Sequence, residues 1–311
     1  MTAIATVIYG DFDYLDEWIQ YHLNIGVDLI LIAYNGESKN YHKLPIYHKV
    51  KYFDFSYDKD DRATMFSYTN HGNSGSNNPD TSLYDMTYEQ RIMNVLYDIV
   101  RYTYPNIHYL TFINTSEFIM INNAMFNNNI NTLFEHIFPE DNSSYFLCML
   151  LYHDNNLIYY DGQGCLERFV NYDNFNADLI YSSNIFSKKI VINLFHDDVK
   201  ENRCKMLSAH HCDLSGSQFS FPSGYVTLAK FYSKTIEEWI IKMKPDNTIN
   251  YFEYYKGRLV YEFFRLGNEI TDEKLRAIPG LLKKHGIDYH PEYEETDTEI
   301  REKYKKANNI L

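Results

Sequence analysis

The sequence predicts an α/β fold: a mixed, mainly parallel sheet flanked by helices, followed by a C-terminal helical tail. Three observations carry that reading. Short apolar runs alternate with amphipathic stretches over the first half, the pattern of parallel strands joined by covering helices. Hydrophobic residues make up 45% of the 311 residues, enough for a sizeable core, in a length that fits one large α/β domain or two small ones. Helix-stopping residues, Gly26 and Pro105, fall at the ends of the helical stretches and not inside them.

Residues 3–9 read as a buried strand. Asp13 is placed to cap a helix that starts at Tyr14, with Leu15, Trp18, Ile19 and Leu23 on one face. Gly26 suits the left-handed stop after it. Residues 27–33 and 50–55 read as the second and third strands. Residues 56–81, rich in Asn, Ser, Gly and Asp, read as a long loop, of a length that compact domains rarely carry without function or disorder. Helical spacing returns over residues 83–101 through Met86, Met93, Leu96, Tyr97 and Val100, and Pro105 ends it. Residues 109–113 form the fourth strand, which leads into the polar corner Asn114-Thr115-Ser116-Glu117.

The second half is more mixed. Residues 145–152 and 189–194 read as strands. Thr235 and Glu238 have the spacing of a capping box, ahead of Ile236, Trp239, Ile240 and Met243 at helical spacing, and Pro245 closes that helix. From Thr271 onward the chain is charged and helical in pieces, with residues 298–307 a solvated face.

The formal net charge of −13 excludes a fold-wide basic field, so nucleic acid is not an expected partner. No apolar stretch approaches a membrane span, and no signal peptide is visible. Cys148, Cys165, Cys204 and Cys212 match no Cys-x-x-Cys pair, which predicts reduced thiols and a cytoplasmic setting. The 30 Tyr and 20 Phe leave two readings open, an AT-rich genome or aromatic faces for carbohydrate. His210, His211 and Cys212, with His196 upstream, are either metal ligands or satisfied core histidines. His71-Gly72-Asn73-Ser74-Gly75 is no phosphate loop, because no Gly-Lys-Ser/Thr follows. It reads as part of a loop near a ligand. Gly162-Gln163-Gly164 is too short for a dinucleotide site.

Four segments, in this order, resemble glycosyltransferase family 92 and its GT-A relatives. The first is Tyr14-Leu15-Asp16-Glu17-Trp18-Ile19-Gln20-Tyr21-His22 with Gly26-Val27. The second is Tyr34-Asn35. The third is Phe112-Ile113-Asn114-Thr115-Ser116-Glu117-Phe118-Ile119, and the fourth Lys230-Phe231-Tyr232-Ser233-Lys234-Thr235-Ile236-Glu237-Glu238-Trp239. Leu166-Glu167-Arg168-Phe169 is a weaker echo. The departures cluster: Asn114 and Ser116 stand where the family has the two acids of Asp-x-Asp, Tyr34 where it has Asp, Lys230 where it has His, and Gly10-Asp11 where it has Asn-Glu.

The resemblance implies a GT-A-like domain over residues 1–270, with a nucleotide half (1–122) and an acceptor half (123–270), and a tail over 271–311. It implies transfer of a hexose from a nucleotide-diphosphate sugar, a UDP-sugar first, to a glycan or glycoconjugate hydroxyl, with inversion. Tyr9, Gly10, Asp11, Tyr34, Asn35, Gln90, Asn114 and Lys234 would meet the donor. Mn²⁺ or Mg²⁺ would offset the charge of the leaving diphosphate, held by Asn114, Ser116, Glu117 and His211. Hard cations prefer carboxylate oxygens, so Asn114 and Ser116 would hold one weakly. Glu117 would either ligate the cation or support its ligands from behind. Lys230 would place a compact positive charge on the diphosphate in place of the metal. Glu167 and Asp161 are the candidate bases for the acceptor proton, with Asp154 and Asp213 further candidates, and Arg168 a possible phosphate partner. The other reading is a degenerate relative that binds nucleotide sugar or glycan without turnover.

Overall fold

A computed structural model describes residues 1–8, 14–34, 44–55, 88–138, 142–152, 154–169, 188–201, 206–208, 211–212, 219–220, 224–231, 234–243 and 271–286. The chain divides into two compact units. Met1–Met149 with Ala177–Ala229 form the first, and Leu150–Asn176 with Lys230–Leu311 the second. Among the described residues no helix is long and apolar enough to cross a membrane.

The first unit is built on a mixed, mostly parallel sheet. Its strands are β1 (Thr2–Ile8), β2 (Leu29–Tyr34), β3 (Val50–Asp54), β4 (Tyr109–Phe112), β5 (Glu117–Ile121), β6 (Ser144–Leu151), β7 (Lys188–Asn193), β10 (Phe219–Ser220) and β11 (Val226–Lys230). The order is β3-β2-β1-β4-β7-β6-β11-β5, with β10 beside β6. The strands β8 (Met206–Ser208) and β9 (His211–Cys212) make a separate antiparallel ribbon. β1 runs parallel to β2 and to β4, with Ile4 level with Ile30 and with Thr111. β2 runs parallel to β3. β7 is antiparallel to both its neighbours, β4 and β6.

These strands form where the sequence has apolar runs without polar alternation, because both faces are covered. One face is covered by α2 (Tyr88–Thr103). Met93, Leu96, Tyr97 and Val100 recur at helical spacing and pack on Ala3, Ala5, Leu29, Leu31, Ala33, Leu110 and Phe112. The alanines leave room for the Tyr97 ring, and each large side chain so buried contributes about 1.5–3 kcal/mol. The opposite face meets α3 (Ile130–Ile137), whose Phe134 ring lies 5.3 Å from that of Tyr109. Asn129 caps α3, its side-chain oxygen accepting from the N–H groups of Asn131 and Thr132.

Helix α1 (Leu15–Asn24) follows β1 and packs on β5. Its buried face is Leu15, Trp18, Ile19 and His22. The expected fourth position, Leu23, is only half-buried. His22 lies seven residues beyond Leu15, closer to the centre of the 3.6-residue stripe, and its ring nitrogens are hydrogen-bonded there. The expected cap, Asp13, lies outside the described residues. Gly26 ends the helix with φ +91°, as its glycine predicts. Neither β5 nor α3 was expected: the apolar run after Glu117 is a strand of its own, not the tail of a polar turn.

The second unit contains α4 (Cys165–Arg168), α6 (Ile236–Met243) and α7 (Asp272–Lys284); α5 (Asp197–Glu201) belongs to the first. The capping box at α6 forms as its spacing predicts. Glu238 Oε2 accepts from the N–H of Thr235 at 3.1 Å, and Glu238 N–H donates to Thr235 Oγ1 at 3.2 Å. In the charged stretch after residue 270 the described residues, 271–286, hold the helix α7. Thr271 caps it through Lys274 N–H, and Leu275, Ile278, Leu281 and Leu282 are buried. Asn155 and Asn156, at φ 50° and 60°, make a tight turn closed by Leu157 N–H on Asp154 O at 2.9 Å. The fully buried Lys274 ammonium anchors it on Asp154 Oδ2 and Asn156 Oδ1.

Candidate functional site

Because β1 to β4 are mutually parallel, their carboxyl ends share one edge. The chain passes from β1 outward to β2 and β3, then returns to place β4 on the other side of β1. In open α/β sheets ligands bind outside the carboxyl ends of the strands that flank such a reversal, here β1 and β4. Ile8 is level with Tyr34, and Tyr34 with Asp54. β4 stops earlier, with Phe112 level with Ala5 and Ile113 N–H donating to Ala5 O. The polar corner 113–116 therefore starts beside the last turn of β1. Tyr34 is half-buried, its ring edge-on to Tyr52 at 6.5 Å. Tyr9, Gly10, Asp11 and Asn35 lie outside the described residues, as does the loop that carries Gly72 and Gly75.

The corner is closed on itself. Glu117 N–H donates to Asn114 O at 2.9 Å, and Asn114 N–H donates to Glu117 Oε2 at 2.8 Å. The same carboxylate oxygen lies 3.4 Å from Lys189 Nζ on β7, and both side chains are essentially inaccessible, at 0% and 1%. Lys189 also acts on Glu89 at the start of α2. Burial raises the Glu89 carboxyl above its ordinary value, and the Lys189 charge opposes that. Asn114 is exposed and Ser116 half-buried, so the corner turns a neutral amide and a hydroxyl outward and its one carboxylate inward.

Helix α1 fixes where this corner ends. Among the described residues β5 is the last strand of the sheet, and no strand lies beside its outer backbone groups. Three side chains of α1 take that place. Trp18 Nε1–H donates to Glu117 O at 2.8 Å, Tyr21 O–H donates to Ile119 O at 2.9 Å, and Ile119 N–H donates to His22 Nε2 at 3.3 Å. The alternate residues of a strand direct their backbone groups to one side, which is why 117 and 119 are served together. His22 Nδ1 must carry the proton, since Trp18 O at 2.8 Å can only accept. Burial holds this imidazole at about 3, far below its ordinary 6.5, against the opposing pull of the Trp18 carbonyl.

Gln90 lies in the first turns of α2, half-buried, and its carbonyl accepts from Asn94 Nδ2 at 2.7 Å. Asn94 itself is a residue that periodicity overlooked. Its amide donates to Met206 O and accepts from Met206 N–H, acting as one rung of a strand for β8.

In the second unit, Arg168 is the buried charged residue of the Leu-Glu-Arg-Phe echo. Its guanidinium lies 3.2 Å from Asp161 Oδ1 and 3.7 Å from Glu238 Oε2, and donates to Tyr159 O. Asp161 is thus paired with Arg168, and Asp154 with Lys274, whereas Glu167 is exposed. Lys230 ends β11 half-buried, its carbonyl accepting from Tyr152 N–H. Lys234 is buried with φ 53°, a left-handed residue directly before the α6 cap. Glu237 is a focus the sequence did not reveal. Its carboxylate meets Lys284 Nζ at 2.6 Å, His285 Nε2 at 2.8 Å and Tyr160 N–H at 2.9 Å.

His211 contributes backbone to β9, level with Ser208. His210 and Asp213 lie outside the described residues. His196 sits at the start of α5 and accepts from Asp198 N–H. Among the described residues no three His, Cys, Asp or Glu side chains converge as a metal would need. The corner does not fit a hard divalent cation: two of its oxygens are neutral and its carboxylate is engaged by an ammonium inside the protein. No protein-family model matches the chain, and a search of curated proteins finds no significant match.

Proposed function

We propose that the chain transfers a hexose from a nucleotide-diphosphate sugar, with a UDP-sugar as the first candidate, to a glycan or glycoconjugate hydroxyl. The observation that carries the reading is topological. The strand order reverses between β1 and β4, and the segments that resemble a GT-A donor site continue from the carboxyl ends of β1, β2 and β4 at that reversal. Glu89, next to Gln90 at the start of α2, is near enough to Lys189 for that charge to oppose the effect of burial on its carboxyl. Asn114 and Ser116 offer the ligand neutral hydrogen-bonding groups. A second reading, binding without turnover, is favoured by the one acid of the corner being buried in an ion pair.

Melting the full chain with a panel of nucleotides tests the donor site. A ligand present at 100 times its Kd stabilises by about 2.7 kcal/mol, which at this size raises the Tm by several degrees. UDP and UDP-sugars are expected to do so, and no shift with any nucleotide would refute both transfer from and binding of a nucleotide sugar. Release of UDP from a UDP-sugar in the same samples separates transferase from binder.

A further inference from the structure

We propose that Lys189 is the resident cation of the corner between β4 and β5, so that an anionic ligand binds at this edge without a divalent metal. The nature of the ligand rests on the nucleotide-sugar reading; the cation does not. A cation at such a corner has two tasks, holding the acidic side chains in place and offsetting negative charge. Lys189 performs the first from within the sheet. Its ammonium lies against Glu117 Oε2, and that oxygen also receives Asn114 N–H, which shapes the turn. Recruiting Glu117 to a metal would draw its carboxylate away from a fully buried ammonium, the costly direction for a buried pair. The remaining groups facing outward, Asn114 and Ser116, are neutral and attract a hard cation weakly.

The substitutions at Asn114 and Ser116 and the buried lysine then describe one change. With carboxylates at both positions, an internal ammonium could not balance the corner and a divalent ion would be needed. With neither, the single charge of Glu117 is matched by the single charge of Lys189. Among the described residues Glu89, at the start of α2, also senses this ammonium.

Titrating Mn²⁺ into the full chain and following the free-ion signal by electron paramagnetic resonance tests the cation directly. The wild type is expected to leave the signal of free Mn²⁺ unchanged up to about 1 mM, whereas N114D/S116D is expected to acquire a site and quench it at least tenfold lower. Tight binding by the wild type that Glu117→Gln abolishes would overturn the proposal. So would failure of N114D/S116D to gain a site, since the turn would then lack the geometry of a cation corner. The buried pair is read separately by melting. Glu117→Gln and Lys189→Met should each lower the Tm on the order of 10 °C, and the double variant should recover part of the loss. Losses that simply add would overturn the pairing. A UDP-induced shift that survives EDTA supports metal-free binding, and one that requires Mn²⁺ overturns it. Absence of any nucleotide shift refutes the donor reading, while the Mn²⁺ titration still decides the cation.

Discussion

His22 accepts a hydrogen bond from the backbone N–H of Ile119, on the outermost strand of the sheet. With Trp18 and Tyr21 it gives three side chains of one helix the work of a neighbouring strand. The Trp-x-x-Tyr-His spacing thus has a structural cause. Residues three and four apart lie on one helical face, and that face meets backbone groups two residues apart on β5.

A pH dependence follows from His22. Its imidazole is held near 3 in the folded chain, mainly by burial, and returns to about 6.5 on unfolding. The unfolded state therefore binds the extra proton first. Stability from this group is complete above pH 6.5 and is lost as pH falls toward 3. Between pH 7.5 and 5 the loss is about 2 kcal/mol. Urea unfolding of the wild type and of His22→Gln at both values should show that decrement in the wild type alone.

Gly26→Ala is expected to cost roughly 2–3 kcal/mol. Part is the left-handed backbone, φ +91°. The rest is the α3 cap, because a Cβ at residue 26 would lie 2.8 Å from Asn129 Nδ2 and displace the side chain that caps the helix. In G26A/N129A the two costs should fall short of additive by denaturant unfolding.

Asn94→Leu should lower stability by about 2–4 kcal/mol, since it leaves the N–H and C=O of Met206 unpaired in the interior. Hydrogen exchange offers a local readout. The Met206 amide should lose protection by more than neighbouring amides of α2.

Glu237 predicts an acid-sensitive attachment of α7. Burial alone would raise its carboxyl, but the bonds from Lys284, Tyr160 N–H and His285 together hold it below the ordinary 4.5. Its contribution is present above pH 4.5 and fades as pH falls through the lower folded value. Glu237→Gln should cost about 1–3 kcal/mol at pH 6, and the gap to wild type in urea unfolding should close in acid.

The alternating strands and helices of residues 2–112 were legible because each is a run of one periodicity, and the α6 capping box because it is local. The side chains that organise the corner were not. Nothing local marks Lys189 or Lys274 as buried; Glu117 and Asp154 come to meet them from distant parts of the chain. Arg168, not the adjacent Glu167, is the buried charge of its segment, a choice made by Asp161 and Glu238. β5 was hidden because its apolar run follows directly on a polar turn, and periodicity over so few residues does not separate them.

The position of β7 has a consequence for biosynthesis. β6 leaves the ribosome first, yet β7 is the strand that sits between β4 and β6. Until residues 188–193 emerge, both flanking strands present open ladders to solvent or to other nascent chains. β5 waits longer still for its partner β11. Truncated chains ending before residue 188 should therefore aggregate and depend on chaperones, and synthesis through residue 230 should be the step that releases them.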